Sequence, residues 1–148
     1  MPSDMAKKTD RLVIDTNLWI SFLITKNYKK LDARIKRTKV KILFSLELME
    51  ELLTVVSRPK FKKYFDKEDI EQLLNLVDFY GEMVDVKSDL KICRDVKDNF
   101  LLSLSKDGKA DFLLTGDHDL LALRKIDKTK IISISEYLNS GASTKSKN

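Results

Sequence analysis

Five short apolar runs recur along the chain with longer amphipathic stretches between them: RLVID (11–15), VKILF (40–44), EMVDV (82–86), DFLLT (111–115) and KIISI (130–134). Runs this short and apolar, bounded by turn signals, read as strands, and a strand without polar alternation is one buried on both faces. Parallel strands cannot be joined by tight turns, so each return needs a crossover long enough for a helix. The intervening segments supply these crossovers. Residues 17–25 and 28–37 read as two helices, and Ser45 caps a third through SLELMEELLTVVS, which Pro59 ends. Asp66 or Asp69 caps a fourth that carries Ile70, Leu73, Leu74 and Val77; another opens near Asp98 with Phe100, Leu101, Leu102 and Leu104 on it, and a short one starts at Asp117. The alternation predicts an α/β fold whose mostly parallel sheet is covered by helices on both faces.

The length of 148 residues suits a single domain able to bury a core, and 43% hydrophobic with 34% charged residues is a globular composition. No run approaches the roughly 18 apolar residues of a membrane span. The leading MPSDMAKKTD has no apolar signal region, and Cys93, the one cysteine, has no internal disulfide partner, so a cytoplasmic location is expected. Residues 1–10 and the polar NSGASTKSKN at 139–148 read as flexible ends around a folded domain spanning 11–138.

The net charge of +5 is unevenly spread. Eight basic residues (26, 29, 30, 34, 36, 37, 39 and 41) face one acid, Asp32, between positions 26 and 41, and RPKFKKYF at 58–65 interleaves cations with aromatic rings. Clustered cations displace the counterions of a phosphate backbone and rings stack on unpaired bases, which makes Lys36, Arg37, Lys39, Arg58, Lys60 and Lys62 candidate RNA contacts. A solvated helix face beside a helix-ending turn accounts for the same residues.

Acids collect where strands hand over to helices. Asp15 ends the first strand, Asp117 and Asp119 follow the DFLLTG strand, and Asp98 opens a helix, with Asp95 before it and Asn99 after. Each alone is an ordinary helix cap. In a parallel sheet, however, ligands bind beyond the carboxyl ends of the strands, and several carboxylates meeting there need a cation or protons to offset their repulsion. Hard divalent cations take such oxygen ligands, and near a basic surface they support phosphodiester hydrolysis. On the helix after the second strand, Glu50 and Glu51 lie equally far from the edges of the apolar face, and helical periodicity does not choose between them.

VIDTN, SLELMEELLTVVSRPKF and CRDVKDNFLLSLSKDGKADFLLTGDHDLL, in this order and spacing, resemble the PIN-domain family, most closely its toxin branch related to VapC. The resemblance covers roughly residues 11–138 and implies a three-layer α/β/α sandwich with an acidic cleft that binds Mg2+ or Mn2+ and cleaves RNA. Carried over by position, it implies Asp15, Glu51, Asp98 and Asp117 as catalytic acids, with Asp119 as a further metal ligand beside Asp15, Asp98 and Asp117. Glu51 is selected because the acid precedes the leucine matching Leu52. Asn17, Asn99 and Thr115 match supporting positions. An antitoxin and a second copy of the chain are the implied protein partners. The sequence departs from the pattern at Asp95-Val96, where many relatives have Asp-Pro, and at Ser103 and Ser105, where small apolar residues are common.

Two other functions sharing this fold class fit poorly. A haloacid-dehalogenase phosphatase needs a second aspartate two residues after Asp15, where Asn17 stands, and a receiver domain needs paired acids at the end of the first strand. The alternative that remains is a PIN module that docks RNA or protein with little or no cleavage. His118, flanked by acids, is expected to face solvent, and Trp19 to pack as a core or groove aromatic.

Overall fold

The computed structural model describes residues 9–25, 33–34 and 39–139. Its strands are β1 (Asp10–Ile14), β2 (Val40–Phe44), β3 (Gly81–Met83), β4 (Phe112–Leu114), β5 (Lys125–Ile126) and β6 (Thr129–Ile132). The helices are α1 (Thr16–Thr25), α2 (Leu46–Val56), α3 (Lys67–Tyr80), α4 (Val96–Asp107) and α5 (His118–Leu123), with residues 134–139 forming α6. One sheet runs in the order β3-β2-β1-β4-β6-β5. Every pairing is parallel except β5 with β6, and helices flank the sheet in the α/β/α arrangement. The chain steps outward from β1 through β2 to β3, then returns past β1 to lay down β4 on the other side. Right-handed crossovers in opposite directions place helices on opposite faces, and the reversal between β1 and β4 opens a crevice at their carboxyl ends.

The central position of β1 explains its composition. Leu12, Val13 and Ile14 are wholly buried, as are Ile42, Leu43 and Phe44 on β2 and Leu113 and Leu114 on β4. Burial of each such side chain contributes about 1.5–3 kcal/mol. Helix α2 presents Leu48, Leu52 and Val56, four residues apart, to this core. Trp19 of α1 is buried and stacks on Phe44 with ring centroids 5.9 Å apart, so it is a core residue. No helix among the described residues is long and apolar enough to cross a membrane.

Cap chemistry follows the sequence at several helix starts. Ser45 Oγ accepts from Leu48 N at 3.0 Å. Asp66, rather than Asp69, caps α3, while Asp69 reaches back to the Asp66 amide to complete a capping box. For α4 the cap is Asp95, so the helix begins before Asp98 and carries that acid in its first turn. At the far end of α3, Gly81 passes straight into β3; a Cβ there would lie 2.2 Å from the Val77 carbonyl oxygen, a contact only glycine avoids.

The expected strand at 82–86 is the main departure. Pairing with β2 ends at Met83, followed by one further bond from Val84 N to Phe44 O at 2.7 Å. Beyond it the backbone is held by side chains of α4. Asp107 accepts from Lys87 N at 2.6 Å and Ser88 N at 2.7 Å, and Ser103 Oγ accepts from Leu90 N at 3.0 Å. Asn99 Oδ1 accepts from Ile92 N at 3.0 Å and Cys93 N at 2.6 Å, while its Nδ2 donates to the Cys93 carbonyl. Asn99, Ser103 and Asp107 are spaced four residues apart on one stripe of α4, each satisfying amides of the irregular connection that follows β3. Ser103, where the family pattern has an apolar residue, thereby has a specific role. The strand expected at 130–134 is β6, which ends at Ile132; β5, its hairpin partner, and α6 are additions to the expected pattern, and of the helix expected at 28–37 only residues 33 and 34 are described, both helical.

Two arginines close the amino-end side of the sheet. Arg11 makes a two-pronged pair with Glu82 at 2.9 and 2.7 Å and donates to the Gly108 carbonyl, linking β1 to β3 and to the end of α4. Arg34 is buried, donates to the Tyr137 carbonyl at 2.9 Å, and lies over the Tyr137 ring at 4.3 Å, while Tyr137 Oη donates to Asp10 at 2.8 Å. Burial, then Asp10, raises the Tyr137 pKa. Asp10 is thus part of the sheet, and residue 139 part of α6, one residue beyond each expected domain edge.

Replacing Asp107 by alanine leaves the Lys87 and Ser88 amides without their carboxylate. Asp107→Ala is expected to lower unfolding free energy by about 2 kcal/mol and to speed hydrogen exchange at residues 87–88 ahead of β1. Denaturant melts with amide exchange test this; exchange no faster than wild type would contradict the stitching.

Candidate functional site

The crevice between β1 and β4 is a cleft of about 400 Å³ whose lining includes Asp15, Glu47, Glu51, Asp95, Asp98 and Asp117. Asp15 follows β1 directly and is 6% exposed. Its carboxylate is held from two sides: Oδ1 accepts from Asn17 N at 3.1 Å and Oδ2 from the Thr115 hydroxyl at 2.7 Å. Thr115, buried after β4, also accepts from Asp117 N at 3.0 Å through the same hydroxyl. Asp117 caps α5 through Oδ1, which accepts from Asp119 N at 2.7 Å and Leu120 N at 3.3 Å.

Asp98 enters from the first turn of α4 and is 5% exposed. One ligand oxygen each from Asp98, Asp117 and Asp119 lies within 4.8 Å of the others. Burial, then the charge of Asp117 and a hydrogen bond to it, then Asp95 and Asp15, push the Asp98 carboxyl up to about 7. Carboxylate repulsion of this kind is what a hard divalent cation neutralises, and an all-oxygen donor set matches the preference of Mg2+ or Mn2+. The donor chemistry therefore fits such an ion. Cys93 nearby is held as the thiol, its pKa raised by burial and then by Asp98, Asp119 and Asp117.

The helical ambiguity on α2 is resolved by position. Glu51 lines the cleft, while Glu50 is exposed and outside it. Glu47, four residues before Glu51 and so on the same helix face, lines it too; that spacing was a signal for its presence. Asp95 and Lys97 are further lining residues that motif matching did not select. Lys97 Nζ lies 4.0 Å from Glu51 Oε1, and Arg94 lies 3.9 Å from Asp119.

Other expected residues fall elsewhere. Asn99 spends its amide on Ile92 and Cys93, so it positions the connection before α4 rather than the acids. Asn17 lines the cleft and contributes its backbone amide. His118 is exposed, as expected. Lys39 precedes β2 at the sheet's opposite end, and Arg58, Lys60 and Lys62 follow α2 beyond Glu51; all four are exposed, and none lines the cleft. Of the aromatics beside them, Phe65 is core and Phe61 stacks on it at 5.8 Å, leaving Tyr64 as the exposed ring. Lys36 and Arg37 lie outside the described residues.

The sequence profile of the PIN domain matches residues 11–119, and the chain belongs to the PIN-domain family. It is 32% identical over 134 residues to the uncharacterized protein MJ1680 of Methanocaldococcus jannaschii, covering 88% of this chain and 84% of that one. Its fold is similar to a chain in the crystal structure of VapBC2 from Rickettsia felis bound to a DNA fragment from their promoter. The TM-score is 0.55 at 16% identity, over 82% of this chain and 96% of that one.

The raised Asp98 pKa carries a sign. Its folded value lies above that of an unfolded aspartate, near 3.9, so ionising it costs stability as pH rises from about 4 to about 7. Asp98→Asn, which mimics the protonated acid, is expected to gain thermal stability over metal-free wild type at pH 8 and to lose most of that advantage at pH 4. Melting curves at the two pH values decide this; an advantage independent of pH would refute the assignment.

Proposed function

We propose that the chain is a metal-dependent endoribonuclease that hydrolyses RNA phosphodiester bonds in the acidic cleft, and that it serves as the toxin of a toxin–antitoxin pair. The observation that carries this reading is that Asp15, Asp98 and Asp117 line one cleft at the topological switch point, with an Asp119 oxygen within 4.8 Å of those of Asp98 and Asp117, delivered by β1, α4 and the β4–α5 junction. Family membership supports it, and so does the fit of an all-carboxylate donor set to a hard cation.

In this reading Asp15, Asp98, Asp117 and Asp119 hold Mg2+ or Mn2+. The ion, when bound, supplies Lewis acidity toward a phosphoryl oxygen and a lowered pKa for water. The protein's own groups do the positioning. Thr115 and the Asn17 amide keep Asp15 in a single orientation, and the α5 amides do the same for Asp117. Glu51, from the α2 wall, completes the acidic lining on the other side of the cleft. Asp15, Asp98 and Thr115 are buried at the floor, which limits competing water and strengthens the electrostatic interactions made there. The basic residues Lys39, Arg58, Lys60 and Lys62, which do not line the cleft, serve in attracting the polyanion rather than in holding the bond that breaks; Lys36 and Arg37 belong to the same RNA-binding proposal.

A protein partner fits the same region. Val96 lines the cleft yet is 79% exposed, an apolar anchor at the mouth for an antitoxin segment, and the VapBC2 assembly named for the structural neighbour supports such a pairing. A cytoplasmic site of action and a homodimer belong to the same proposal.

The test is cleavage of a mixed RNA pool by purified protein with Mg2+ or Mn2+, with EDTA, and with Asp15→Asn or Asp98→Asn. Each substitution should reduce cleavage about a thousandfold, equivalent to roughly 4 kcal/mol of transition-state stabilisation, without loss of fold. EDTA should abolish cutting. RNA that is bound but never cut under any of these conditions would favour the docking alternative.

A further inference from the structure

The cleft is lined by six carboxylates, from Asp15, Glu47, Glu51, Asp95, Asp98 and Asp117. An RNA strand brought there adds its own negative charge, and Lys39, Arg58, Lys60 and Lys62 do not line it. Among the described residues, Lys97 is the one cation that lines the cleft, and Arg94 stands three residues before it.

Neither cation is explained by the helix it adjoins. Lys97 is the second residue of α4, at the positive end of the helix dipole, where a cation is unfavourable and Asp95 already caps the backbone. Lys97 is paired with Glu51 at 4.0 Å with its side chain 71% exposed, and Arg94 with Asp119 at 3.9 Å with its side chain 93% exposed. Exposed pairs at such distances contribute about 0–1 kcal/mol, so both cations exchange partners at little cost. They also address different walls. Lys97 reaches toward Glu51 on α2, and Arg94 toward Asp119 at the start of α5. The backbone beneath Arg94 is anchored, because Asn99 binds the Ile92 and Cys93 amides just before it.

We propose that Lys97 and Arg94 form a two-armed phosphate clamp that draws one unpaired RNA strand across the cleft, from the α2 wall to the α5 rim, each arm leaving its carboxylate for a backbone phosphate beside the bond that is cut. This rests on the nuclease reading and adds the residues that set the strand's path. Arg94 offers a planar fork suited to two phosphate oxygens, and Lys97 a mobile point charge. A single strand is specified because Lys97 lines a cleft of only about 400 Å³, with Arg94 three residues before it, so both arms act on one backbone passing through it. Lys97 and Arg94 are substrate-binding residues here, and the chemistry remains with the acids.

The experiment uses the full chain and a labelled single-stranded RNA oligonucleotide in Mg2+. Binding is followed by fluorescence anisotropy across a salt series in an Asp15→Asn background, and cleavage kinetics are measured in the wild-type background. Lys97→Gln and Arg94→Gln are each expected to reduce the slope of log affinity against log salt by about 0.7, and the pair by about 1.4. Each is expected to raise KM about tenfold with kcat within about twofold of wild type. Lys97→Arg should restore both quantities. Slopes unchanged in protein that binds and cuts RNA and melts normally would overturn the clamp alone. So would a fall in kcat at constant KM, which would mean that the cations act by arranging the acids. Equal affinity and equal slope changes with duplex RNA would overturn the single-strand path. A wild-type chain that neither binds nor cuts RNA would overturn the nuclease reading, and the clamp with it.

Discussion

One hydroxyl couples the two strands that make the cleft. Thr115 Oγ1 gives its proton to Asp15 Oδ2 and receives the Asp117 amide, so the single donor and one acceptor of a threonine are spent on the two acids flanking the switch point. Parallel pairing of Ile14 with Leu114 brings this about, since the residues after them leave the sheet side by side. The backbone continues the register for one more step, with Asp15 N bonded to Leu114 O at 3.0 Å and Thr115 N to Ile132 O at 3.1 Å. Valine would fill nearly the same volume yet leave a buried carboxylate oxygen and an amide without their partner. In an interior of low dielectric that costs far more than the lost contact alone. The location of Asp15 and Asp117 is therefore a property of the sheet; Thr115 and the Asn17 amide orient the Asp15 carboxylate, and the α5 amides orient that of Asp117.

The opposite wall is built on a different rule. Helix α4 holds the connection that precedes it through Asn99, Ser103 and Asp107, a polar stripe one turn apart, while its other face places Leu101, Leu102 and Leu104 in the core. Asp107 shows that the arrangement is electrostatic as well as geometric. Although desolvation acts to raise its pKa, the bonds from Ser88 and Lys87 leave it below the ordinary aspartate value. The same helix delivers Asp98 inward from its first turn and Lys97 outward to the rim. The connection is thus hydrogen-bonded along α4, the helix that also carries the buried acid and the exposed cation, which fixes where a long irregular segment presents residues at the cleft.

Much of this was readable from the residues because it follows from burial. Apolar runs that must be covered on both faces can be recognised as strands, and acids at their ends mark the carboxyl edge of a parallel sheet, so the strand positions and the cluster of Asp15, Asp98 and Asp117 emerge together. What failed to show was anything that depends on side chains replacing backbone partners. EMVDV has the composition of a five-residue strand, but β3 is an edge strand whose pairing stops at Met83, and past the run, from Lys87 on, the backbone bonds to side chains of α4 instead. Asn99 reads as a site residue by motif, and only its three bonds to residues 92 and 93 reveal a structural task. Glu51 against Glu50 was undecidable from periodicity, because the angle of α2 over the cleft depends on its packing through Leu48, Leu52 and Val56.

Charge was the least transferable signal. The excess of cations between positions 26 and 41 suggested a continuous basic surface, yet Arg34 from that run is buried against Tyr137 and Asp10, and Lys39 stands at the amino end of β2. An arginine inside a run of lysines is suited to this use, since its guanidinium is more weakly hydrated and stacks on an aromatic ring. The net charge of +5 therefore coexists with a cleft whose described lining carries six carboxylates and one cation, Lys97. For a polyanionic substrate such a division separates two demands that conflict at one location. Long-range attraction raises the encounter rate and weakens with salt, whereas close to the reacting phosphate a surplus of fixed cations would compete with a metal ion for the same carboxylates. Among the described residues, Lys97 at the rim and Arg94 beside it each lie next to a carboxylate, and Lys39, Arg58, Lys60 and Lys62 do not line the cleft, which leaves the acid cluster room for an ion.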